Sequence, residues 1–374
     1  MKKIILLICL VSCFQFTRSQ TTTTKTLPFG GLTRTYIEHV PAIYNPSTPV
    51  PLIICLHGLG DNMSNFTGIG MNTLANTKNF IVLTPQAINS AFGTAWNSGA
   101  SYMGYQLNSN VDDIGFIGAL IDTTMALYNI DPRRIYATGF SMGGFMCHRL
   151  ACQMNNRIAA IASAAGTIGS AINCTPGRAV PVLHLQGTGD QTIYYTGNSY
   201  GMDAMETVMF WAKNNHCDTI PVITNMPDIA QDSMTIKHFV YNNGDNNTMV
   251  EHYRVDSASH TWLFLPQNDM SYTQAIWDFV SRFTLPQGMG IESRFNPDKV
   301  SVFPNPSYDK ININGIKENE THIILYDILG KVVYEDSHYS TNTPVDIKKF
   351  NNGVYFLKIY RSNQTFNSFK VIKE

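Results

Sequence analysis

Apolar and polar positions fall in alternating blocks along the first three quarters of the chain. Largely apolar runs at Val50 to Leu56, Phe80 to Thr84, Arg134 to Thr138, Ile158 to Ala162 and Val180 to Leu185 are each bounded by turn-forming residues. Runs of this length fit strands covered on both faces. Between and after them, apolar residues recur every three or four positions over Asp113 to Tyr128, Met142 to Gln153, Met202 to Lys213 and Tyr272 to Phe283. That is the period of a helix with one buried face. Strands separated by helices predict βαβ units, a mostly parallel sheet and the α/β class.

Beyond the last helix the pattern changes to short alternating segments such as Lys310 to Asn314, His322 to Asp327 and Val354 to Tyr360, which read as strands of a small β-sandwich. Composition marks the same break. From Pro297 onward 19 of 78 residues are charged, against 34 of the 296 before it, and every Cys and Trp lies before residue 278. Leu285-Pro286-Gln287-Gly288-Met289-Gly290 reads as a linker. At the other end, Met1-Lys2-Lys3, an apolar run from Ile4 and a polar exit predict a secretory leader cleaved near Ser19. Leu10-Val11-Ser12-Cys13 also has the form of a lipobox, which would anchor the chain at Cys13 instead. The expected organisation is therefore a leader over 1–19, an α/β domain over 20–284, a linker over 285–296 and an all-β domain over 297–374.

Charge and composition then act by exclusion. With 26 basic and 27 acidic residues the chain has no spare positive field for nucleic acid. A hydrophobic content of 44% excludes a disordered chain, and 374 residues suffice for ordinary cores.

The strand ending at Thr138 runs into Gly139-Phe140-Ser141-Met142-Gly143-Gly144, where a helical pattern begins. This is G-x-S-x-G in a strand–turn–helix setting, which lifts a serine hydroxyl above a sheet at a helix N-terminus. A serine nucleophile needs a base and an acid to orient it, and with this motif the chain order is Ser, acid, His. Asp190 follows the run Val180 to Leu185, and His260 follows the strand-like Val250 to Val255; both stand past strand ends, where open α/β sheets place their sites. His148 falls within a helix pattern, His184 within a buried strand, and His238 and His252 read as structural. Upstream, His57-Gly58-Leu59-Gly60 forms a Gly-rich turn after a core strand, so the backbone amides of Leu59 and Met142 are the expected oxyanion donors. Trp96 and Trp262 stand on loops near this constellation as candidate substrate contacts, and Asp112 reads as a helix cap. No metal-ligand motif occurs, so no cofactor is expected.

Taken with Val111-Asp112-Asp113, Gly187-Thr188-Gly189-Asp190 and His260-Thr261-Trp262, these motifs resemble the polyhydroxybutyrate depolymerase and feruloyl esterase-like group of α/β-hydrolases. The resemblance spans about residues 30 to 284. It implies hydrolysis of carboxylic esters by Ser141, Asp190 and His260, on polyesters and short esters or on feruloyl or acetyl groups of plant polysaccharide. It also implies a disulfide between Cys152 and Cys174. Ser259 and Leu263 depart from the Gly before the histidine and the Pro after the tryptophan that are usual in the group. In the tail, Val302-Phe303-Pro304-Asn305-Pro306, Tyr326-Asp327-Ile328-Leu329-Gly330-Lys331, Asn352-Gly353-Val354-Tyr355-Phe356 and Lys370-Val371-Ile372-Lys373 resemble the C-terminal sorting domain of the type IX secretion system. That resemblance implies the secretion machinery as partner and export across the outer membrane to the cell surface or beyond. A monomer without stable membrane insertion is expected. A non-catalytic binding protein on the same scaffold is the alternative from another class.

Overall fold

The structure is a computed structural model. It describes residues 20–197, 199–286, 301–314, 321–328, 330–339, 343–361 and 364–374. The leader expected over 1–19 and most of the linker expected over 285–296 lie outside these residues. The chain divides into two compact units, Met1–Arg294 and Phe295–Glu374.

Ten strands build the sheet of the first unit: β1 Thr21–Phe29, β2 Leu32–Val40, β3 Val50–Leu56, β4 Ile81–Pro85, β5 Ile130–Phe140, β6 Ala160–Ala164, β7 Val182–Gly187, β8 Val222–Asn225, β9 Thr235–Tyr241 and β10 Val250–Asp256. Their order is β1-β2-β4-β3-β5-β6-β7-β10-β9-β8. The six strands from β4 to β10 in this order are all parallel, and antiparallel pairs extend the sheet at both edges.

The parallel strands are apolar throughout because helices cover both faces. Leu52, Ile54 and Leu56 of β3 pack with α3 Asp113–Leu127, α4 Met142–Gln153 and α5 Ala204–Asn214, while Ile53 and Cys55 pack with α2 Met71–Lys78 and α6 Tyr272–Val280. The same alternation continues along β5, β6 and β7, as the two-residue period of a strand requires. A short helix, α1 Met63–Phe66, precedes α2.

Local signals set the helix starts. Asp112 caps α3 by accepting from the Gly115 amide, 2.8 Å, and Asp203 with Glu206 closes a capping box on α5. Cys152, near the end of α4, is bridged to Cys174, closing a loop of 22 residues that stabilises by about 3 kcal/mol. Cys55, Cys147 and Cys217 are free and buried.

Among the described residues, the strands of the second unit pair antiparallel. Ser301–Phe303, Lys310–Asn314 and Val345–Asp346 form one sheet; Val332–Asp336, Thr321–Tyr326, Gly353–Arg361 and Gln364–Lys373 form another. It has its own core, with Ile311, Ile323, Leu325, Leu357, Ile359 and Val371 buried.

Candidate active site

Ser141 sits where β5 ends and α4 begins, with φ 55° and ψ −121°. A side chain in that region of backbone space costs about 1–3 kcal/mol, and the packing around the turn holds it there. The positions two residues before and after it must be glycine. A Cβ on Gly143 would stand 1.9 Å from the Leu56 carbonyl oxygen, and one on Gly139 would stand 2.4 Å from Gly143. The Ser141 amide donates to the Ala164 carbonyl, 2.8 Å, which ties the turn to β6.

Asp190 and His260 come from the loops after β7 and β10, which are neighbouring strands. The two loops run in contact: the Gly189 amide donates to the Ala258 carbonyl, 3.0 Å, and a Cβ on Gly187 would meet that same oxygen at 2.2 Å. His260 Nδ1 and Asp190 Oδ2 are 2.7 Å apart. The Asp190 carboxylate is fully buried, and its Oδ1 accepts from the amides of Thr192 and Ile193, 2.8 Å each. Those bonds leave Oδ2 to fix the imidazole, whose other nitrogen is then free to work on a hydroxyl. Phe140 packs on the His260 ring with centroids 4.6 Å apart.

Ser141 and His260 line one cavity of about 290 Å3, together with Leu59, Met142, Tyr102 and Ile193. Among the described residues, the amides of Leu59 and Met142 donate to no protein acceptor, so both are available at the cavity wall. Met142 opens α4, whose N-terminal dipole favours negative charge there by about 0.3–1 kcal/mol.

The turn that carries Leu59 is fixed from behind by His57, which is fully buried. Its Nδ1 donates to the Gly58 carbonyl, 2.8 Å, and its Nε2 accepts from the Ala87 amide, 3.1 Å. Burial lowers its pKa from the ordinary value, so it stays neutral in this role.

Neither tryptophan expected at the substrate lines the cavity. Trp96 is fully buried and its indole N–H donates to the His57 carbonyl, 2.9 Å; it braces the Leu59 turn from within the core. Trp262 packs edge-on against Phe140, Phe66 and Tyr272, and its indole N–H donates to Thr273 Oγ1, 3.2 Å. Their places as exposed substrate contacts are corrected by burial: an indole between packed rings has no face to offer a ligand.

The residues missed are Tyr102 and Tyr200. Both line the cavity, with near-parallel rings 6.0 Å apart. Phe92 meets Tyr102 edge-on at 5.3 Å and approaches Tyr105 at 6.3 Å, and Phe92 and Tyr105 are exposed. An aromatic strip thus runs from solvent into the cavity. Burial and the neighbouring Tyr102, Tyr194 and Asp190 raise the Tyr200 pKa, so its phenol stays protonated.

Residues 39–243 match the family described as Phospholipase/Carboxylesterase, and residues 301–374 match the secretion system C-terminal sorting domain. Feruloyl esterase B of Piromyces equi is 27% identical over 267 residues, covering 68% of this chain and 46% of that protein. A bifunctional acetylxylan esterase/xylanase of Neocallimastix patriciarum is 28% identical over 256 residues, 66% of this chain and 33% of that protein. Poly(3-hydroxyalkanoate) depolymerase C of Paucimonas lemoignei is 25% identical over 246 residues, 60% of this chain and 57% of that protein. The matched part of the chain thus spans between a third and somewhat over half of these curated relatives. Among solved structures, an acetyl xylan esterase from Aspergillus awamori superposes with a TM-score of 0.51 at 14% identity, covering 69% of this chain and 99% of that one, a likeness of fold. The tail match marks the chain for export by the type IX system. Among the described residues, no helix is long and apolar enough to cross a membrane.

Proposed function

The chain belongs to the phospholipase/carboxylesterase family, and from that premise we propose that it is a secreted carboxylic-ester hydrolase working through a Ser141–His260–Asp190 triad. The observation that carries this reading is the 2.7 Å His260–Asp190 contact beside a strained Ser141 in one cavity. His260 Nε2 takes the Ser141 hydroxyl proton as Oγ attacks the ester carbonyl, and Asp190 accepts the Nδ1–H of the imidazolium. The amides of Leu59 and Met142 receive the oxyanion, each such donor contributing about 3 kcal/mol to the transition state. The proton passes to the leaving alcohol, and water then releases the acid from the serine.

The proposed substrates are esters with an apolar or aromatic acyl group, including chains of a polyester as well as short soluble esters. The aromatic strip from Tyr105 through Phe92 to Tyr102 supports this, since it offers stacking positions beyond a cavity sized for one acyl unit. The second reading, a feruloyl or acetylxylan esterase, draws support from the relatives in Piromyces equi and Neocallimastix patriciarum. The proposed organisation is a leader over 1–19, a catalytic domain over 20–284, a linker over 285–296 and a sorting domain over 297–374.

Acid release from polyhydroxybutyrate and poly(ethylene terephthalate) films, from methyl ferulate and from short p-nitrophenyl esters, with the chain and its Ser141→Ala variant, tests both levels. The variant should lose about a millionfold in kcat. A mild loss removes the serine mechanism. Turnover of soluble esters without film erosion removes the polymer and leaves the second reading.

A further inference from the structure

Three imidazoles stand in a row on the face of the sheet covered by α4 and α5, and none lines the catalytic cavity. They are His148 on α4, His184 on β7 and His252 on β10; all three are fully buried. His184 and His252 are register partners across the parallel ladder, with ring centroids 5.3 Å apart, and the His148 and His184 rings are 6.0 Å apart.

Hydrogen bonding assigns their protons. His252 Nδ1 faces the His184 carbonyl, 3.0 Å, and must donate to it, so its Nε2 accepts a hydrogen bond from the Tyr195 hydroxyl, 2.8 Å. His148 Nε2 donates to the Gly166 carbonyl, 3.2 Å, and its Nδ1 accepts from the Trp211 indole, 3.0 Å. His184 Nε2 donates to Gln186 Oε1, 2.9 Å. His184 Nδ1 meets no partner among the described residues, and burial keeps that ring neutral, so each ring carries one proton.

The segment bearing the catalytic carboxylate is attached to this row at two points. Gln186, fully buried at the end of β7, donates from Nε2 to the Ile193 carbonyl, 2.7 Å. Tyr195 is fastened to His252. Immediately before these attachments lie the Thr192 and Ile193 amides that hold Asp190 Oδ1. A continuous set of bonds thus runs His184–Gln186–Ile193–Asp190–His260. A buried amide cannot drift from its partners without leaving polar atoms unpaired, and a catalytic group must be held within about 0.5 Å.

We propose that Gln186 and Tyr195 are positioning residues for Asp190, with His184 and His252 as their fixed points in the core. The inference rests on the reading of Ser141, His260 and Asp190 as the triad. It assigns the two residues to the rate of acyl transfer rather than to ester binding, because their bonds end on the segment that orients the base.

The test uses the full chain with the variants Gln186→Leu and Tyr195→Phe, assayed on p-nitrophenyl butyrate. The concentration of competent sites is counted by stoichiometric labelling with a p-nitrophenyl phosphonate, so that misfolded protein does not enter kcat. Gln186→Leu should lower kcat per labelled site by about 10-fold, since small misplacements of a catalytic group cost up to about 100-fold. Tyr195→Phe should lower it several-fold, KM should move by less than twofold in both, and the double variant should lose less than the product of the two. A structural role alone would reduce the labelled fraction and leave kcat per labelled site as it was; that result in Tyr195→Phe, which removes a single hydroxyl, overturns the proposal even where Gln186→Leu does not fold. A KM rise that accounts for the whole loss also overturns it. Failure of the unaltered chain to take the label removes the triad itself, an outcome distinct from the other two.

Discussion

Burial lowers the His184 pKa from its ordinary 6.5 to about 4, and burial followed by the neighbouring His184 lowers those of His148 and His252. An unfolded chain takes up these protons near pH 6.5, whereas the folded chain refuses them until much lower pH. The stability these groups allow is therefore complete above about pH 6.5 and is lost as pH falls toward the folded values. For His184 alone the loss at pH 5 is about 2 kcal/mol. Urea midpoints measured at pH 7.5 and pH 5 should differ accordingly, the lower pH giving the lower midpoint at unchanged slope; equal midpoints would show that these rings do take protons in the folded state. At this scale the sequence was legible where a residue stands within a few positions of the end of a strand, as Ser141, Asp190 and His260 do. It was illegible where the role depends on neighbours from distant elements. Trp96 reads as a loop aromatic, yet its indole reaches the His57 carbonyl from 39 positions away. Gln186 reads as the frayed end of an apolar run, and nothing local announces that Ile193 will fold back onto it.

Among the elements, α3 carries more than packing. Its first residue, Asp113, is fully buried, with Oδ1 2.7 Å from the Arg34 guanidinium of β2 and Oδ2 accepting from the Asn97 amide, 2.7 Å. The guanidinium lies over the Phe116 ring, 3.8 Å from its centroid. Asp113 thereby joins strand β2, a helix and the Trp96 loop that braces His57. Asp113→Ala leaves a buried guanidinium without its counter-charge, and the unfolding free energy should drop by about 3–5 kcal/mol. Denaturant melts of that variant and of Asp113→Ala with Arg34→Met check this: the second change should return much of the loss, and a single-variant cost below 1 kcal/mol would mean the pair is not desolvated as its burial indicates. The parallel strands and the helices over them were legible because their periods are strong. Strands β1 and β2 were not: Thr21 to Thr24 are exposed on an edge, and β2 buries Arg34, Glu38 and His39, polar residues that a hydropathy pattern counts as surface. Helix α2 was missed for a related reason, since it buries only Met71 and Ala75 and shows no stripe. Strand β8 is exposed along its whole length, so its sequence has no buried face to display.

For the whole molecule, the shift in charge and the loss of Cys and Trp along the chain reflect two different ways of building a core. The first unit buries a sheet between helices and houses large apolar side chains on both faces; the second has a core of Ile, Leu and Val with Tyr339 and Tyr355, drawn from both of its sheets. The placement of sulfur in the first unit governs how this protein ends its working life. Cys55, Cys147 and Cys217 are buried free thiols whose pKa burial raises, Cys217 to about 11, and the Cys152–Cys174 bridge lies in the same unit. While folded, the thiols are un-ionised and out of reach, so exchange with the bridge is blocked. Once the unit opens, these three thiols and the disulfide share one loose chain, so exchange into wrong pairings competes with refolding. Survival on heating is thus a matter of how often the fold opens, not of how strongly the balance favours it. Apparent melting temperatures should climb with scan rate and become reversible when all three thiols are replaced by alanine; a scan-rate-independent transition in the unaltered chain would show the exchange to be too slow to matter.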